Sequence, residues 1–163
     1  MNGRGQLGEA LKKQITGITS KSPVFIYHTW NPWNRHKHIQ EYEYNKFIKF
    51  VNEHKHHRII FTSTYSQNEN YYVHYKQLAE AYLISNCKNC LIIRLPSLVG
   101  NKGILKKLKE KTVSPFGKIE FLSLGDASKK IVELVSYDGL VKTFSLKGEE
   151  ISAELVEALL HET

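Results

Sequence analysis

The chain has 163 residues, of which 41% are apolar and 24% are charged, a balance typical of a soluble globular domain with a hydrophobic core. Its net charge of +7 favours an acidic partner, such as nucleic acid, an anionic membrane or a phosphorylated small molecule. No apolar run approaches the roughly 18 residues of a membrane-spanning helix, and the first residues lack the apolar stretch of a secretory signal. We therefore expect a cytoplasmic protein with no membrane partner.

The hydrophobic pattern predicts helices that alternate with buried strands. In chain order, the first half contains a glycine-rich turn leading into a helix ("NGRGQLGEALKKQ"), a strand ("SPVFIYHTW"), a helix ("EYEYNKFIKFVNEHK"), a strand ("RIIFTSTYS"), a helix ("NYYVHYKQLAEAYLISN") and a strand stopped by Pro96 and Gly100 ("CLIIRLPSLVG"). The second half contains a short basic helix ("KGILKKLKEKT"), a strand or extended segment ("GKIEFLSLG"), a helix capped by Asp126 ("DASKKIVELVSYDG"), a strand ("LVKTFSLKG") and a helix capped by Ser152 ("ISAELVEALLHE"). This alternation indicates one α/β domain with a largely parallel sheet flanked by helices.

The glycine-rich turn is the first candidate for a binding site. Gly3, Gly5 and Gly8 fit the pattern G-x-G-x-x-G, in which glycines let backbone amides approach a pyrophosphate at the start of a helix. Only Met1 and Asn2 precede the pattern, and no acidic residue follows at the distance where one would bind a ribose. A flexible amino terminus with glycines by chance is therefore the alternative.

A hydroxyl cluster, Thr62, Ser63 and Thr64, ends the second predicted strand. In open α/β sheets, ligands bind beyond the carboxyl ends of the strands, so a hydroxyl there can hold a substrate oxygen. The alternative is an ordinary strand-ending turn.

Tyr72 and Lys76 lie four residues apart in a predicted helix, which places both on one face. A nearby ammonium favours the phenolate, so we expect Lys76 to lower the pKa of Tyr72 and to allow proton transfer near neutral pH. By itself the pair is more typical of an aromatic residue and a charge on a surface helix, because the chain has nine tyrosines and many lysines.

The order of these features resembles the short-chain dehydrogenase/reductase superfamily, above all its extended branch of nucleotide-sugar epimerases, dehydratases and reductases. "GRGQLGEAL" resembles the glycine loop of the dTDP-4-dehydrorhamnose reductases, "IIFTSTYS" the strand with the catalytic Ser/Thr, and "RLPSLVG" the segment whose proline region contacts the nicotinamide. The resemblance implies a reduced Rossmann-like core over residues 1–100 and a small, substrate-side α/β portion over residues 101–163.

The resemblance also implies an activity and its residues. The expected cofactor is NAD or NADP, and the substrate is a nucleotide-linked sugar in surface-polysaccharide precursor synthesis. Tyr72 would be the general acid/base, Lys76 would hold the cofactor ribose, Thr64 (with Ser63 as second choice) would orient the substrate oxygen, and Arg94 would contact the substrate. The cofactor-binding residues would be Gly3, Gly5, Gly8, His28, Thr29, Asn45, Pro96 and Ser97.

The chain departs from this family by being short. The first strand is absent, and the segment between the glycine loop and Val24 is too brief for the strands that normally hold the adenosine side of the cofactor. The alternative is therefore a catalytically inactive remnant that acts as a nucleotide-sugar-binding or interaction module.

A homodimer is the expected assembly, because in the family the helices corresponding to those of Asn45 and Tyr72 pair between subunits. The residues suited to such a contact are Tyr44, Phe47, Phe50, Tyr75 and Tyr82. Nucleic-acid binding through "ILKKLKEK" and "NEHKHHR" is less favoured, since no recognition motif accompanies the charge.

Three other groups of residues invite a functional interpretation. Cys87 and Cys90 have metal or redox spacing, but no second pair of ligands follows them, so we expect a packed pair and no metal site. The histidines are more typical of a solvated basic helix end than of a metal site; they are His36, His38, His54, His56 and His57. Trp30 and Trp33 suit either ligand stacking, a dimer contact or capping of the core.

Overall fold

The computed structural model describes residues 6–15, 22–99 and 118–152. In chain order its elements are α1 (Gln6–Ile15), β1 (Val24–Tyr27), α2 (Lys37–His54), β2 (Arg58–Thr64), α3 (Tyr71–Asn86), β3 (Cys90–Leu95), β4 (Ser97–Val99), β5 (Lys118–Ser123), α4 (Leu124–Glu133), β6 (Thr143–Ser145) and β7 (Glu149–Ser152).

The main sheet has four parallel strands in the order β1-β2-β3-β6. Its central strands, β2 and β3, are nearly continuous runs of β-branched and apolar residues. Such runs are typical of strands that are covered on both faces. The predicted α/β class with a largely parallel sheet is confirmed.

Side chains alternate along these strands and form one hydrophobic cluster on each face of the sheet. The cluster on the α2 and α3 face contains Phe47, Phe61 and Ile92. The cluster on the other face contains Leu11 of α1, Ile60 of β2 and Ile131 of α4. Helices therefore cover both faces of the sheet.

The loop after β1 is held against α2 by one buried amide. The Gln40 side chain accepts a hydrogen bond from Trp30 Nε1 at 2.8 Å, and its own Nε2 donates to the carbonyls of Asn31 and Asn34 at 2.8 and 2.6 Å. Gln40 is fully buried, and these bonds satisfy its amide there. The Trp30 ring is consequently fixed over Phe47 and Phe61.

A second, three-stranded sheet has the order β4-β5-β7. Pro96 ends β3 as predicted, and the chain then enters β4, which belongs to the other sheet. The division at residue 100 stays a prediction. After residue 100, β5 and β7 belong to the small sheet, whereas β6 belongs to the main sheet. Helix α4 packs against one face of the main sheet.

Two predicted helix caps are corrected. Ser123, not Asp126, caps α4, because its Oγ accepts from the Asp126 N–H at 3.0 Å and the helix already begins at Leu124. Ser152 lies in β7, where it pairs with Lys118, so it caps no helix in the described chain.

Several predictions lie outside the described residues. They are the positions of Gly3 and Gly5, the basic helix "KGILKKLKEKT" and the body of the helix predicted after Ser152. Within the described ranges, no helix has both the length and the apolar character needed to cross a membrane.

Candidate functional site at the carboxyl edge of the main sheet

The carboxyl ends of the parallel strands bring the predicted site segments to one edge of the sheet. His28 and Thr29 follow β1, Thr64 ends β2, and Pro96 follows β3. In the register of the sheet, Thr64 pairs with Leu95, the residue before Pro96. Open α/β sheets bind ligands at this edge. Ligand binding here by these residues stays a prediction.

Lys76 occupies the centre of this edge and is only 4% exposed. Its Nζ donates a hydrogen bond of 2.7 Å to the Thr62 carbonyl oxygen. The same atom lies 4.7 Å from the ring centre of Trp30 and 4.5 Å from that of Phe61. Aromatic faces attract a cation, so the two rings replace part of the water that the ammonium has lost.

Burial lowers the pKa of Lys76 from 10.5 to about 7, although the charges of Glu80 and Glu43 act in the opposite direction. Removal from water raises the free energy of the ammonium more than that of the neutral amine. At neutral pH the amine is therefore close to its midpoint, and it can hold or release a proton according to what binds beside it.

Tyr72 lies beside Lys76, with 5.9 Å between the centre of its ring and the Lys76 Nζ. Burial raises the pKa of Tyr72 to about 12, and the only opposing influence is the charge of Arg35. The prediction that Lys76 lowers the pKa of Tyr72 is therefore wrong for this structure. For the pKa of Tyr72, desolvation outweighs the attraction of nearby positive charges. Lys76 is also only partly protonated near neutral pH. The phenol keeps its proton.

Ser63 and Thr64 differ in the faces to which they belong. Alternation along β2 puts Ser63 with Phe61, on the face of the sheet that carries α3, and Thr64 on the opposite face. The Ser63 Oγ is buried and has no hydrogen-bond partner among the described residues. The Thr64 hydroxyl instead accepts a bond of 3.2 Å from the Ser66 N–H. The geometry thus favours Ser63, the second choice from sequence, over Thr64.

Arg94 is engaged within the chain. Its Nε donates to both oxygens of Glu80 at 3.1 and 3.2 Å, and its Nη2 donates to Oε2 at 2.6 Å. The Glu80 side chain is 8% exposed and that of Arg94 39%, so the pair is half-open to solvent on the arginine side. A contact between Arg94 and substrate stays a prediction. In such a contact the Arg94 guanidinium would bind the substrate and Glu80 at the same time.

The other predicted cofactor residues lie in different surroundings. His28 is half-buried at the edge, and burial lowers its pKa. Asn45 lies on the exposed side of α2, and Ser97 is exposed in β4. Gly8 is buried within α1. Their roles remain predictions, and Asn45 is not among the buried residues of its helix.

The two cysteines are packed in the core. Cys87 and Cys90 are each 3% exposed and belong to the α2 and α3 cluster, and burial raises the pKa of both thiols. No group of three or more metal-ligating side chains occurs among the described residues. Trp30 caps the core, whereas Trp33 is 57% exposed.

Sequence reasoning missed three residues of this site: Glu80, Gln40 and Arg35. Glu80 stands four positions after Lys76, a spacing that could have identified a charged pair on one face of the helix. Gln40 and Arg35 lie in or before α2, and no local pattern shows that they approach Trp30 and Tyr72.

Comparison with known proteins supports the fold. A UDP-N-acetylglucosamine 4-epimerase from Bacillus cereus matches with a TM-score of 0.72 at 15% identity, over 96% of this chain and 80% of that chain. A dTDP-4-dehydrorhamnose reductase from Clostridium acetobutylicum matches with a TM-score of 0.72 at 15% identity, over 97% of this chain and 78% of that chain. WbmG from Bordetella bronchiseptica, solved with NAD and UDP, matches with a TM-score of 0.63 at 15% identity, over 97% of this chain and 62% of that chain.

The chain has the fold of the nucleotide-sugar epimerases and reductases. The fold expected from the sequence resemblance is thereby confirmed. At these identities the likeness is one of fold. The sequence matches no protein-family model and no curated protein.

The first prediction concerns the pH dependence of stability. Between about pH 7 and pH 10 the unfolded chain binds a proton at Lys76 that the folded chain lacks, so folding gains stability as pH rises. Relative to Lys76→Met, the unfolding free energy of the wild type should rise by up to about 1.4 kcal/mol per pH unit. Urea unfolding of both proteins at several pH values measures this difference. A difference that stays constant with pH would contradict a depressed pKa.

The second prediction concerns the unpaired hydroxyl. Ser63→Ala removes no hydrogen bond, so it should change the unfolding free energy by less than about 0.5 kcal/mol, or should stabilise the fold. Thr62→Val is the matched control, because Thr62 Oγ1 donates to the Tyr27 carbonyl at 3.4 Å, and its loss should cost about 1 kcal/mol. A cost above about 2 kcal/mol for Ser63→Ala would show that its hydroxyl is bonded in solution.

Proposed function

We propose that the protein is an NAD(P)-dependent enzyme that acts on a nucleotide-linked sugar, with Tyr72 exchanging a proton with a substrate oxygen. The observation that carries this proposal is the buried Lys76 amine between Trp30 and Tyr72, at the ligand-binding edge of the sheet. The shared fold supports it, since WbmG was solved with NAD and UDP. By the sequence resemblance, the substrate belongs to surface-polysaccharide precursor synthesis.

The carboxyl edge fits the reactive end of such a cofactor. Ser63 offers a buried hydroxyl with no bond to satisfy it, and the Lys76 amine makes one hydrogen bond although it has up to three donors. These two groups, with His28 and Thr29 after β1, would hold the ribose and a substrate oxygen. When bound, the cofactor would supply the hydride that a phenol and an amine cannot.

Tyr72 would act as the proton donor. Because burial keeps its phenol protonated, it can give a proton to a substrate carbonyl oxygen as that oxygen gains negative charge. The opposite reaction requires the phenolate, which a fully charged Lys76 and the charge of Arg35 would favour. In this interpretation Ser63 orients the substrate oxygen, in place of Thr64.

A second candidate function is a binding module without catalysis. The Lys76 amine is bonded to the Thr62 carbonyl and lies against Phe61, which is also what a purely structural lysine would do. The raised pKa of Tyr72 is compatible with an inert phenol. Such a protein would bind a nucleotide sugar or a dinucleotide at the same edge and would turn nothing over.

Homodimerisation is proposed through α2 and α3, but not through the residues expected from sequence. Phe47 is fully buried and Tyr75 is 8% exposed, while Tyr44, Phe50 and Tyr82 pack against the same cluster. These side chains join α2 to α3 within one chain. The exposed apolar residues of the two helices that remain for a partner are Tyr42, Tyr71, Leu78 and Ile84.

The third prediction tests the proton transfer. In a Trp33→Phe background, Trp30 reports binding at the site, and NADH or NADPH should quench its fluorescence. Tyr72→Phe should keep this quenching while turnover of UDP-N-acetylglucosamine or dTDP-4-dehydrorhamnose falls by roughly 10² to 10⁴, because the proton donor is lost. Turnover is followed by cofactor absorbance or by product analysis.

Tyr75→Phe is the control for this experiment, since Tyr75 lies in the same helix but packs in the core. It should leave turnover unchanged. Equal turnover in Tyr72→Phe and wild type would refute the role of Tyr72. Quenching in the wild type with no turnover of any nucleotide sugar would favour the binding module.

The fourth prediction tests the dimer. Leu78→Lys places a charge on the exposed side of α3 and should convert a dimer into a monomer in sedimentation equilibrium. Leu140→Lys is the control, because Leu140 is 97% exposed and lies outside both helices. Wild-type protein that sediments at monomer mass at tens of micromolar (on the order of the concentrations at which weak dimers form) would contradict the proposal.

A further inference from the structure

A cavity of about 710 Å³ opens at the amino edge of the main sheet, opposite the edge that carries Lys76. Its floor is formed where β1, β2 and β3 begin, at Val24, Arg58 and Cys90. Parallel strands start together at one edge of a sheet and end together at the other, so this cavity is separated from the candidate active site by the length of the strands. Its volume is within the range of small-molecule sites.

One wall of the cavity, residues 135–142, is held in place by several contacts. Arg58 Nη2 donates to the carbonyls of Leu134 and Tyr137. The Tyr137 hydroxyl accepts from the Val141 N–H at 3.3 Å, and a Cβ at Gly139 would collide with the Tyr137 ring. Because the wall is tied to β2 and to its own turn, the cavity is preformed.

The cavity is lined by cations that have no carboxylate partner. Arg58 bonds to the two carbonyls and to Asn89 Oδ1 at 2.7 Å, and Lys142 Nζ donates to the Lys88 carbonyl at 2.7 Å. Neither forms an ion pair with another described residue, in contrast to Lys46 with Glu43 and Arg94 with Glu80. Asp138 is the one acid among the lining residues, which also include His56 and His57.

The two cations reach the cavity from different strands of the sheet. Arg58 begins β2 and Lys142 precedes β6, with β3 between these strands. At about 4.8 Å between neighbouring strands, the two backbone positions are on the order of 10 Å apart. Two cations favour a ligand with more than one negative charge, and guanidinium and ammonium groups are typical phosphate ligands.

We propose that this amino-edge cavity binds a small phosphate-bearing polyanion, between Arg58 on one side and Lys142 on the other. This site is independent of the proposed activity, because none of its lining residues belongs to the carboxyl edge. A diphosphate carries more than one negative charge, and the preformed wall would fix its position.

The test uses inorganic pyrophosphate as the probe and backbone amide shifts of the full chain as the readout, at constant ionic strength. Pyrophosphate should shift the amides of Asn89, Gly139 and Val141, and acetate at the same concentration should not. Lys142→Gln should weaken binding about tenfold, because one charge-assisted bond is lost. Asp138→Asn should tighten binding, because it removes the lining acid.

Lys129→Gln is the matched control, because Lys129 is exposed on α4 and does not line the cavity. It should leave pyrophosphate binding unchanged. Equal weakening by Lys142→Gln and Lys129→Gln, shifts confined to residues near Ser63 and Tyr72, or no shift up to about 10 mM would each overturn the proposal. Quenching of Trp30 fluorescence by NADH should be the same in Lys142→Gln and wild type. The experiment therefore distinguishes an error in the amino-edge proposal from an error in the proposed function.

Discussion

The burial of one ammonium group organises the candidate site. Lys76 projects from α3 onto the carboxyl end of β2, where its Nζ bonds the Thr62 carbonyl between the rings of Trp30 and Phe61. A charge in that position is costly unless it is partnered, and burial accordingly moves the pKa of Lys76 to about 7. Helix, strand and the loop after β1 must all be in place for this contact to exist.

The groups around Lys76 connect α3 and the loop after β1 to further elements. Glu80, one turn further along α3, binds Arg94 of β3, and Gln40 of α2 holds Trp30 in its place over the core. Buried polar groups that are satisfied in this way specify one arrangement of helix and strand. The Ser63 hydroxyl is one of the buried groups that lack a partner, and an unsatisfied hydroxyl at the carboxyl edge is what a ligand site would leave open.

The two edges of the main sheet differ in their chemistry. At the carboxyl edge, burial dominates and favours neutral forms of both Lys76 and Tyr72. At the amino edge, the basic side chains of Arg58 and Lys142 line an open cavity. Proton exchange with a bound substrate suits the first environment, and recognition of a phosphate-bearing ligand suits the second.

The sequence by itself determined the order of the elements from α1 to β3 and the largely parallel sheet, because the runs in β2 and β3 and the helical spacing of Phe47 and Val51 are local patterns. It also determined that Tyr72 and Lys76 share a helix with a hydroxyl-bearing strand end before them. Only the tertiary structure decided that Lys76 is buried, that Ser63 and not Thr64 is left unpaired, and that Phe47 and Tyr75 face their own core rather than a partner. Desolvation depends on everything that packs around a group, and the residues that surround Lys76 come from four separate segments of the chain, so no local pattern could reveal the direction in which the pKa of Tyr72 moves.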